Sequence, residues 1–165
     1  MATITLQGNN IHTNGNLPEV GSQAPGFLLV DAGLVNKHLS DYAGQKKLLN
    51  IVPSLDTDVC ATSTRKFNQE AAGRDNVVVL VVSADLPFAQ SRFCSAEGID
   101  EVIPLSMMRS RNFAEDYGVL IEDGPLAGIT ARAVVVIDEN DQVVYTELVP
   151  EITQEPDYAS ALAAL

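Results

Sequence analysis

Apolar runs and amphipathic segments alternate along this chain, and their spacing predicts its elements. Val77–Ser83 is an almost unbroken aliphatic run, which is typical of a strand covered on both faces, so we expect it at the centre of a sheet. Polar and apolar residues alternate over Thr3–Leu6, and a returning segment at residues 11–13 would complete a hairpin. Further strands are predicted at residues 27–30, 48–52, 102–105, 133–137 and 142–148.

Helical spacing characterises several segments between these strands. Cys60, Thr64, Phe67 and Ala71 form one stripe, which predicts a helix ending near Gly73. The segment after the aliphatic strand has a proline suited to the first turn of a helix and a glycine suited to its end. Helices are therefore predicted at residues 86–98, 111–117 and 157–165, with one helical turn at residues 39–43.

The order of these elements indicates the fold class. Strand, helix, strand, helix, then a hairpin and a final helix is the order of a thioredoxin-like α/β sandwich. We therefore expect a thioredoxin-like fold with a central mixed β-sheet flanked by helices, extended by an N-terminal β-hairpin. A length of 165 residues, 46% of them hydrophobic, favours a single domain over residues 1–165.

Charge and composition narrow the function classes. The formal net charge of −12 at pH 7 repels phosphate backbones and anionic lipids, so we expect neither nucleic acid nor membrane as a partner. No apolar run reaches the roughly 18 residues of a transmembrane helix, and the first residues do not form a signal peptide, so we expect a cytoplasmic protein. Two cysteines and two histidines are too few for a structural zinc site, and we expect no metal and no cofactor.

Cys60 lies where a predicted strand gives way to a predicted helix. Free backbone N–H groups and the helix dipole favour an anion in a first helical turn, so we expect Cys60 to react as a thiolate. The alternative is a small buried apolar residue, as many free cysteines are. Asp56 and Asp58 would disfavour a thiolate if they pointed inward, so we expect both to face solvent.

The residues around Cys60 resemble a known active-site motif. Pro53, Thr57 and Cys60 form the pattern PxxxTxxC, which resembles that of the peroxiredoxins, cysteine peroxidases with a thioredoxin-like fold. The strings FLLVD at residues 27–31, DTDVC at 56–60 and SADLPFAQSRFC at 83–94 are similar to the bacterial thiol peroxidases within that family. The resemblance extends over nearly the whole chain.

This resemblance implies a role for each site residue. Cys60 would be the peroxidatic nucleophile, which becomes a sulfenic acid, and Cys94 the resolving cysteine, which closes an intramolecular disulfide. Pro53 would shield the sulfur from water, and Arg132 matches the family's downstream arginine. If both cysteines lie on packed helices, whose axes are typically about 8–10 Å apart, closing the disulfide requires local unwinding.

A fast peroxidase also needs donors aimed at the peroxide oxygens, because thiolate formation alone does not account for its rate. The Thr57 hydroxyl and the Arg132 guanidinium fit this need. Each has a simpler alternative, since Thr57 could be a plain helix N-cap and Arg132 a solvated charge at a strand end. Cys94 could likewise be a core residue beside Phe93.

Two functional hypotheses follow from these residues. The first is a thioredoxin-dependent reductase of hydrogen peroxide and alkyl hydroperoxides, for which the resemblance also implies a homodimer. The second is a redox sensor or relay that passes oxidation to a partner protein. A dithiol reductase of the thioredoxin kind is disfavoured, because the chain has no CxxC motif.

Overall fold

Nine strands and four α-helices make up the computed structural model of the chain, which describes residues 1–165. The strands are β1 Thr3–Leu6, β2 Asn9–His12, β3 Leu28–Val30, β4 Asn36–His38, β5 Lys46–Ile51, β6 Val77–Ser83, β7 Ile103–Ser106, β8 Ala133–Ile137 and β9 Val143–Leu148. The helices are α1 Asp58–Glu70, α2 Pro87–Glu97, α3 Asn112–Asp116 and α4 Tyr158–Ala163, and Leu39–Tyr42 forms a 3-10 turn. None of these helices has the length and apolar character needed to cross a bilayer.

Seven strands form one mixed sheet in the order β4-β3-β7-β6-β5-β8-β9. The three strands β5, β6 and β7 run parallel, whereas β8 is antiparallel to β5 and β3 is antiparallel to β7. Since β6 is the fourth of seven strands, the expectation of a central aliphatic strand is confirmed. Strands β1 and β2 pair as a separate antiparallel hairpin, which matches the predicted N-terminal hairpin.

Helices cover both faces of the sheet, and the two cysteines belong to the same face. Successive strand residues point to opposite faces. One face carries Val79 and Val81 of β6, which lie in one apolar cluster with Phe67 of α1 and Ala161 of α4. The other face is filled by a second cluster that includes residues of the hairpin and of α3. Cys60 belongs to the first cluster, and Cys94 of α2 packs against it.

The topology brings the starts of the two cysteine helices to one edge of the sheet. Helix α1 follows β5 and helix α2 follows β6, and the carboxyl ends of parallel strands meet at the same edge. The predicted stripe of α1 is confirmed, because Cys60, Thr64, Phe67 and Ala71 are all fully buried. This stripe fixes the rotation of α1 against the sheet and thereby the direction in which Cys60 points.

Two strand segments were missed by the sequence pattern. Strand β4 contains no aliphatic residue and exists through its pairing with β3. Strand β5 begins at Lys46 rather than at residue 48, because the buried Lys47 forms an ion pair with Asp141 in the turn between β8 and β9. A charge that would ordinarily end a strand is therefore accommodated inside the sheet.

Candidate active site

Cys60 lies in the first turn of α1, as predicted. Thr57 is the N-cap residue, and the first helical hydrogen bond is donated by the Ala61 N–H to the Thr57 carbonyl at 3.0 Å. The N–H groups that precede Ala61 in α1 therefore have no helical acceptor, and together with the helix dipole they favour negative charge at this position.

Arg132 faces Cys60 from the position just before β8, the strand next to β5. Ile51 pairs with Ala133 across the antiparallel ladder, which places Arg132 beside the carboxyl end of β5. Its Nη1 donates a hydrogen bond to Cys60 Sγ at 3.0 Å, and its Nε donates to the Ile152 carbonyl at 2.9 Å. The structure thus brings together two candidate residues that are 72 positions apart in the sequence.

The guanidinium of Arg132 is a buried charge. Arg132 is only 2% exposed and Cys60 is 0% exposed. No carboxylate forms an ion pair with Arg132. A buried charge is costly unless its donors are satisfied, and the Cys60 sulfur and the Ile152 carbonyl are the acceptors that this site provides. The alternative of a solvated strand-end charge is therefore wrong.

Helix α4 places the side chain of Tyr158 close to Arg132 and Cys60. The ring of Tyr158 packs edge-on against Phe67, with centroids 5.2 Å apart, and its hydroxyl donates to Glu155 at 2.9 Å. Burial and the Glu155 carboxylate raise the pKa of Tyr158 far above its usual value, while the positive charge of Arg132 acts in the opposite direction. Tyr158 therefore stays a neutral phenol near the guanidinium.

Pro53 and Thr57 lie in the turn that leads from β5 into α1. Pro53 is buried, whereas Thr57 is exposed. The Thr57 hydroxyl donates to the Ser54 carbonyl at 3.0 Å and makes no capping bond. The alternative of a side-chain N-cap is therefore wrong, because the hydroxyl bonds within the turn, and this hydroxyl forms no hydrogen bond with the Cys60 sulfur. Asp56 and Asp58 are exposed, as predicted.

Cys94 lies on α2 and has a different environment. It is half-buried and not joined to Cys60 in a disulfide. Burial raises the pKa of the Cys94 thiol above its ordinary value. Neither cysteine belongs to a group of three or more His, Cys, Asp or Glu side chains that could hold a metal ion.

A cleft of about 610 Å³ lies between the loop before α1 and the exposed side of α2. Leu55 and Asp56 line it from the loop, and Phe88, Arg92 and Phe93 line it from the helix. Cys60 and Cys94 lie outside the lining. The cleft thus provides open space beside the loop before α1 and beside α2. Both segments would have to move for the sulfurs of Cys60 and Cys94 to meet.

Asp85 is a site residue that the sequence reasoning missed. It is the second residue after the central strand β6 and lines the same cleft. Its carboxylate accepts hydrogen bonds from the Ser54 hydroxyl and from the Leu55 N–H, each at 2.8 Å. The sequence offered one signal, the position of Asp85 shortly after a predicted central strand. Polar residues at such positions lie at the carboxyl edge of a parallel sheet, where ligands usually bind.

Comparisons with known proteins agree with this geometry. The redoxin family matches residues 19–162 of the chain. A thiol peroxidase of Mycobacterium bovis is 57% identical over 167 residues, and one of Corynebacterium glutamicum is 54% identical over 165 residues; each match covers 100% of this chain and 99% of the relative.

A solved structure shows the same fold. The crystal structure of a peroxiredoxin-like protein from Aquifex aeolicus has a TM-score of 0.93 and 45% sequence identity, covering 99% of this chain and 95% of that one. The expected thioredoxin-like fold is therefore confirmed, as is the expectation of a peroxidase. The chain belongs to the redoxin family and, within it, to the thiol peroxidase branch of the peroxiredoxins.

Proposed function

We propose that the protein reduces hydrogen peroxide and alkyl hydroperoxides to water or alcohols, with Cys60 as the nucleophile and thioredoxin as the reductant. The observation that carries this proposal is the 3.0 Å contact between Arg132 Nη1 and Cys60 Sγ in a site that offers Arg132 no carboxylate. The similarity to proteins named thiol peroxidase supports the reaction class.

In the first step the Cys60 thiolate attacks one oxygen of the hydroperoxide. An S–O bond forms as the O–O bond breaks, and the second oxygen leaves as alkoxide or hydroxide and takes up a proton. Cys60 becomes a sulfenic acid. The Arg132 guanidinium first stabilises the thiolate and then the negative charge on the leaving oxygen, and its hydrogen bond to the Ile152 carbonyl orients it for both.

Thr57 and Pro53 have proposed supporting roles in this step. The Thr57 hydroxyl would become a donor to the peroxide by turning away from the Ser54 carbonyl, to which it now donates at 3.0 Å. Pro53 is buried next to the loop and would exclude water from the sulfur. Cys60 is fully buried, so peroxide reaches it through an opening of the exposed segment at residues 56–58.

In the second step Cys94 attacks the sulfenic sulfur of Cys60. An S–S bond forms, the S–O bond breaks, and the oxygen leaves as water with the thiol proton of Cys94. A dithiol, for which we propose thioredoxin, then reduces the disulfide by exchange and is itself oxidised to a disulfide. The cycle therefore needs Cys60 and Cys94 to meet, although they lie on separate helices in the reduced protein.

A coupled assay tests this proposal. Purified protein with thioredoxin, thioredoxin reductase and NADPH should consume hydrogen peroxide and an alkyl hydroperoxide, and Cys60→Ser should abolish turnover. The variant Cys94→Ser should complete one oxidation of Cys60 and then stall with thioredoxin. Absence of any reaction between Cys60 and peroxide would refute the proposal. Slow turnover with a trapped mixed disulfide to another protein would favour the redox relay instead.

We also propose a cytoplasmic homodimer. The chain has only two cysteines, a usage that suits a reducing compartment. The family resemblance favours the dimer. Sedimentation velocity on the reduced protein measures the assembly state, and a monomer at micromolar concentration would contradict the dimer.

A further inference from the structure

The Asp85 carboxylate joins the ends of two neighbouring strands. Its Oδ1 accepts from the Ser54 hydroxyl, and its Oδ2 accepts from the Leu55 N–H and the Ser83 hydroxyl, all three at 2.8 Å. Ser54 and Leu55 follow β5, whereas Ser83 ends β6. An ionised carboxylate only accepts hydrogen bonds, and three donors converge on this one.

The backbone of Asp85 extends this connection to a third strand. Its carbonyl accepts from the hydroxyl of Ser106, the last residue of β7, at 2.6 Å, and its N–H donates to the Ser83 hydroxyl at 3.3 Å. Ser83 and Ser106 are fully buried and are paired in the ladder between β6 and β7. Asp85 is thus attached firmly to the sheet, and its side chain holds the more exposed loop.

Asp85 also lies between the two cysteine segments. Leu55 precedes the N-cap of α1 by two residues, and Pro87 begins α2 two residues after Asp85. The residue therefore fixes the approach to the Cys60 helix at the same point from which the Cys94 helix departs. The loop it holds and Asp85 itself both line the cleft beside the two cysteine segments.

We propose that Asp85 is a positioning residue that holds the loop before Cys60 in the conformation that reacts with peroxide, and that it thereby sets the balance between the peroxide step and the disulfide step. This inference rests on the proposed function. The peroxide step needs the first turn of α1 folded against Arg132. The disulfide step needs Cys60 to leave that position. The hydrogen bonds that hold the loop to Asp85 therefore favour the peroxide step and oppose the disulfide step.

Two rates measured separately test this proposal. The chain has no tryptophan, so rapid quenching with a thiol-alkylating reagent and mass spectrometry is suited to following Cys60. In a Cys94→Ser background, Asp85→Ala should slow oxidation of Cys60 by hydrogen peroxide about tenfold or more, the loss expected when charge-assisted hydrogen bonds are removed. With Cys94 present, the same variant should form the disulfide faster once the sulfenic acid exists.

Matched variants separate positioning from a general loss of stability. Ser54→Ala removes one of the three bonds to the Asp85 carboxylate, together with the bond that the Ser54 hydroxyl accepts from the Asp56 N–H at 3.2 Å. It should shift both rates in the same directions by a smaller factor, and it keeps the proposal testable if Asp85→Ala does not fold. Asp75→Ala removes an exposed carboxylate outside this network and should leave both rates unchanged.

The results that would overturn the proposal differ from those that would overturn the proposed function. If Asp85→Ala and Ser54→Ala behave like Asp75→Ala, or if both rates fall together in proportion to the folded fraction, Asp85 is not a positioning residue. If the unmodified protein shows no oxidation of Cys60 by peroxide, the proposed function itself fails.

Discussion

The two cysteine helices lie on one face of the same sheet but are held in different ways. Helix α1 buries a complete stripe of side chains, and its cysteine is fully enclosed next to Arg132. Of the eleven residues of α2, only Pro87 and Gln90 are buried, and its cysteine is half-exposed without a polar partner. One cysteine therefore has an organised environment, whereas the other is placed on a helix with few buried contacts.

The anchoring of α2 is concentrated in its first half. The Gln90 amide donates to the Ser83 hydroxyl and to the Leu105 carbonyl, both at 3.0 Å. Beyond Gln90, Phe93 and Cys94 pack against the apolar cluster only partly buried, and the exposed ion pair between Glu97 and Arg65 at 2.7 Å joins the helix to α1. This difference indicates where local unfolding costs the least free energy, because segments with few buried contacts open most easily. We expect the second half of α2 and the first turn of α1 to move, while the body of α1 stays in place.

The contrast in burial can be tested by removing one aromatic ring from each helix. Phe67→Ala should lower the free energy of unfolding by about 3–5 kcal/mol, because it empties a fully enclosed core position. Phe88→Ala should change it by about 0.5 kcal/mol or less, since Phe88 is 66% exposed. Urea denaturation of the reduced protein measures both values, and similar losses would contradict the contrast.

Replacing the buried guanidinium tests the organised environment of Cys60. Arg132→Met should slow oxidation of Cys60 by peroxide by about 100- to 1,000-fold, the effect of losing one donor to a developing negative charge. The free energy of unfolding of the reduced protein should fall by about 1–3 kcal/mol, because the buried Ile152 carbonyl loses the donor that Arg132 supplies. Rapid-quench kinetics and urea denaturation give the two results.

The control for this variant is Arg74→Met, which removes an exposed arginine whose Nε donates to the Glu70 carbonyl. Its reaction with peroxide should be unchanged. An equal loss of rate in both variants would show that net charge, and not the position of Arg132, matters.

The pH dependence of alkylation tests the environment of Cys94. Burial raises the pKa of the Cys94 thiol. Its thiolate therefore forms at a higher pH than the thiolate of an ordinary cysteine does. In a Cys60→Ser variant, iodoacetamide should therefore modify Cys94 more slowly than free cysteine near pH 8, and the rate should continue to rise at higher pH. Unfolding in urea should restore the ordinary profile, and a native profile equal to the unfolded one would contradict the prediction.

The smallest expected effect comes from the ion pair between the two helices. Arg65→Gln should change the free energy of unfolding by less than about 1 kcal/mol, because both side chains are exposed and screened. It should also speed disulfide formation slightly, and high salt should remove the difference from the unmodified protein. Lys66→Gln is the matched control, since Lys66 pairs with Glu70 within α1 and does not reach α2.

The sequence predicted the parts of this molecule that depend on local periodicity. The stripe of α1 and the aliphatic run of β6 are readable because burial selects the residue type at each position. Strand β4 was missed because Asn36–His38 has no aliphatic residue and depends on β3 for its pairing. The start of β5 was missed because Lys47 depends on Asp141, 94 residues away in the sequence.

The site was predicted only as far as residue types and a motif allow. The structure brings Cys60 and Arg132 into contact, whereas the hydroxyl of Thr57 donates to a carbonyl that sequence spacing does not reveal. Asp85 was missed for the same reason, since its importance comes from donors about thirty residues earlier in the chain. Hydrogen bonds between distant residues are set by the assembled sheet and leave no periodic trace.

The anchor of the guanidinium lies late in the chain, and this has a consequence for synthesis. Cys60 leaves the ribosome well before Arg132, and the carbonyl that holds Arg132 belongs to Ile152, twenty residues further on. Until residue 152 has been made, the nascent chain carries the Cys60 thiol without the anchored guanidinium that faces it in the folded protein. The contact between Arg132 and Cys60 therefore forms only after a long delay, during which the thiol is exposed to oxidation.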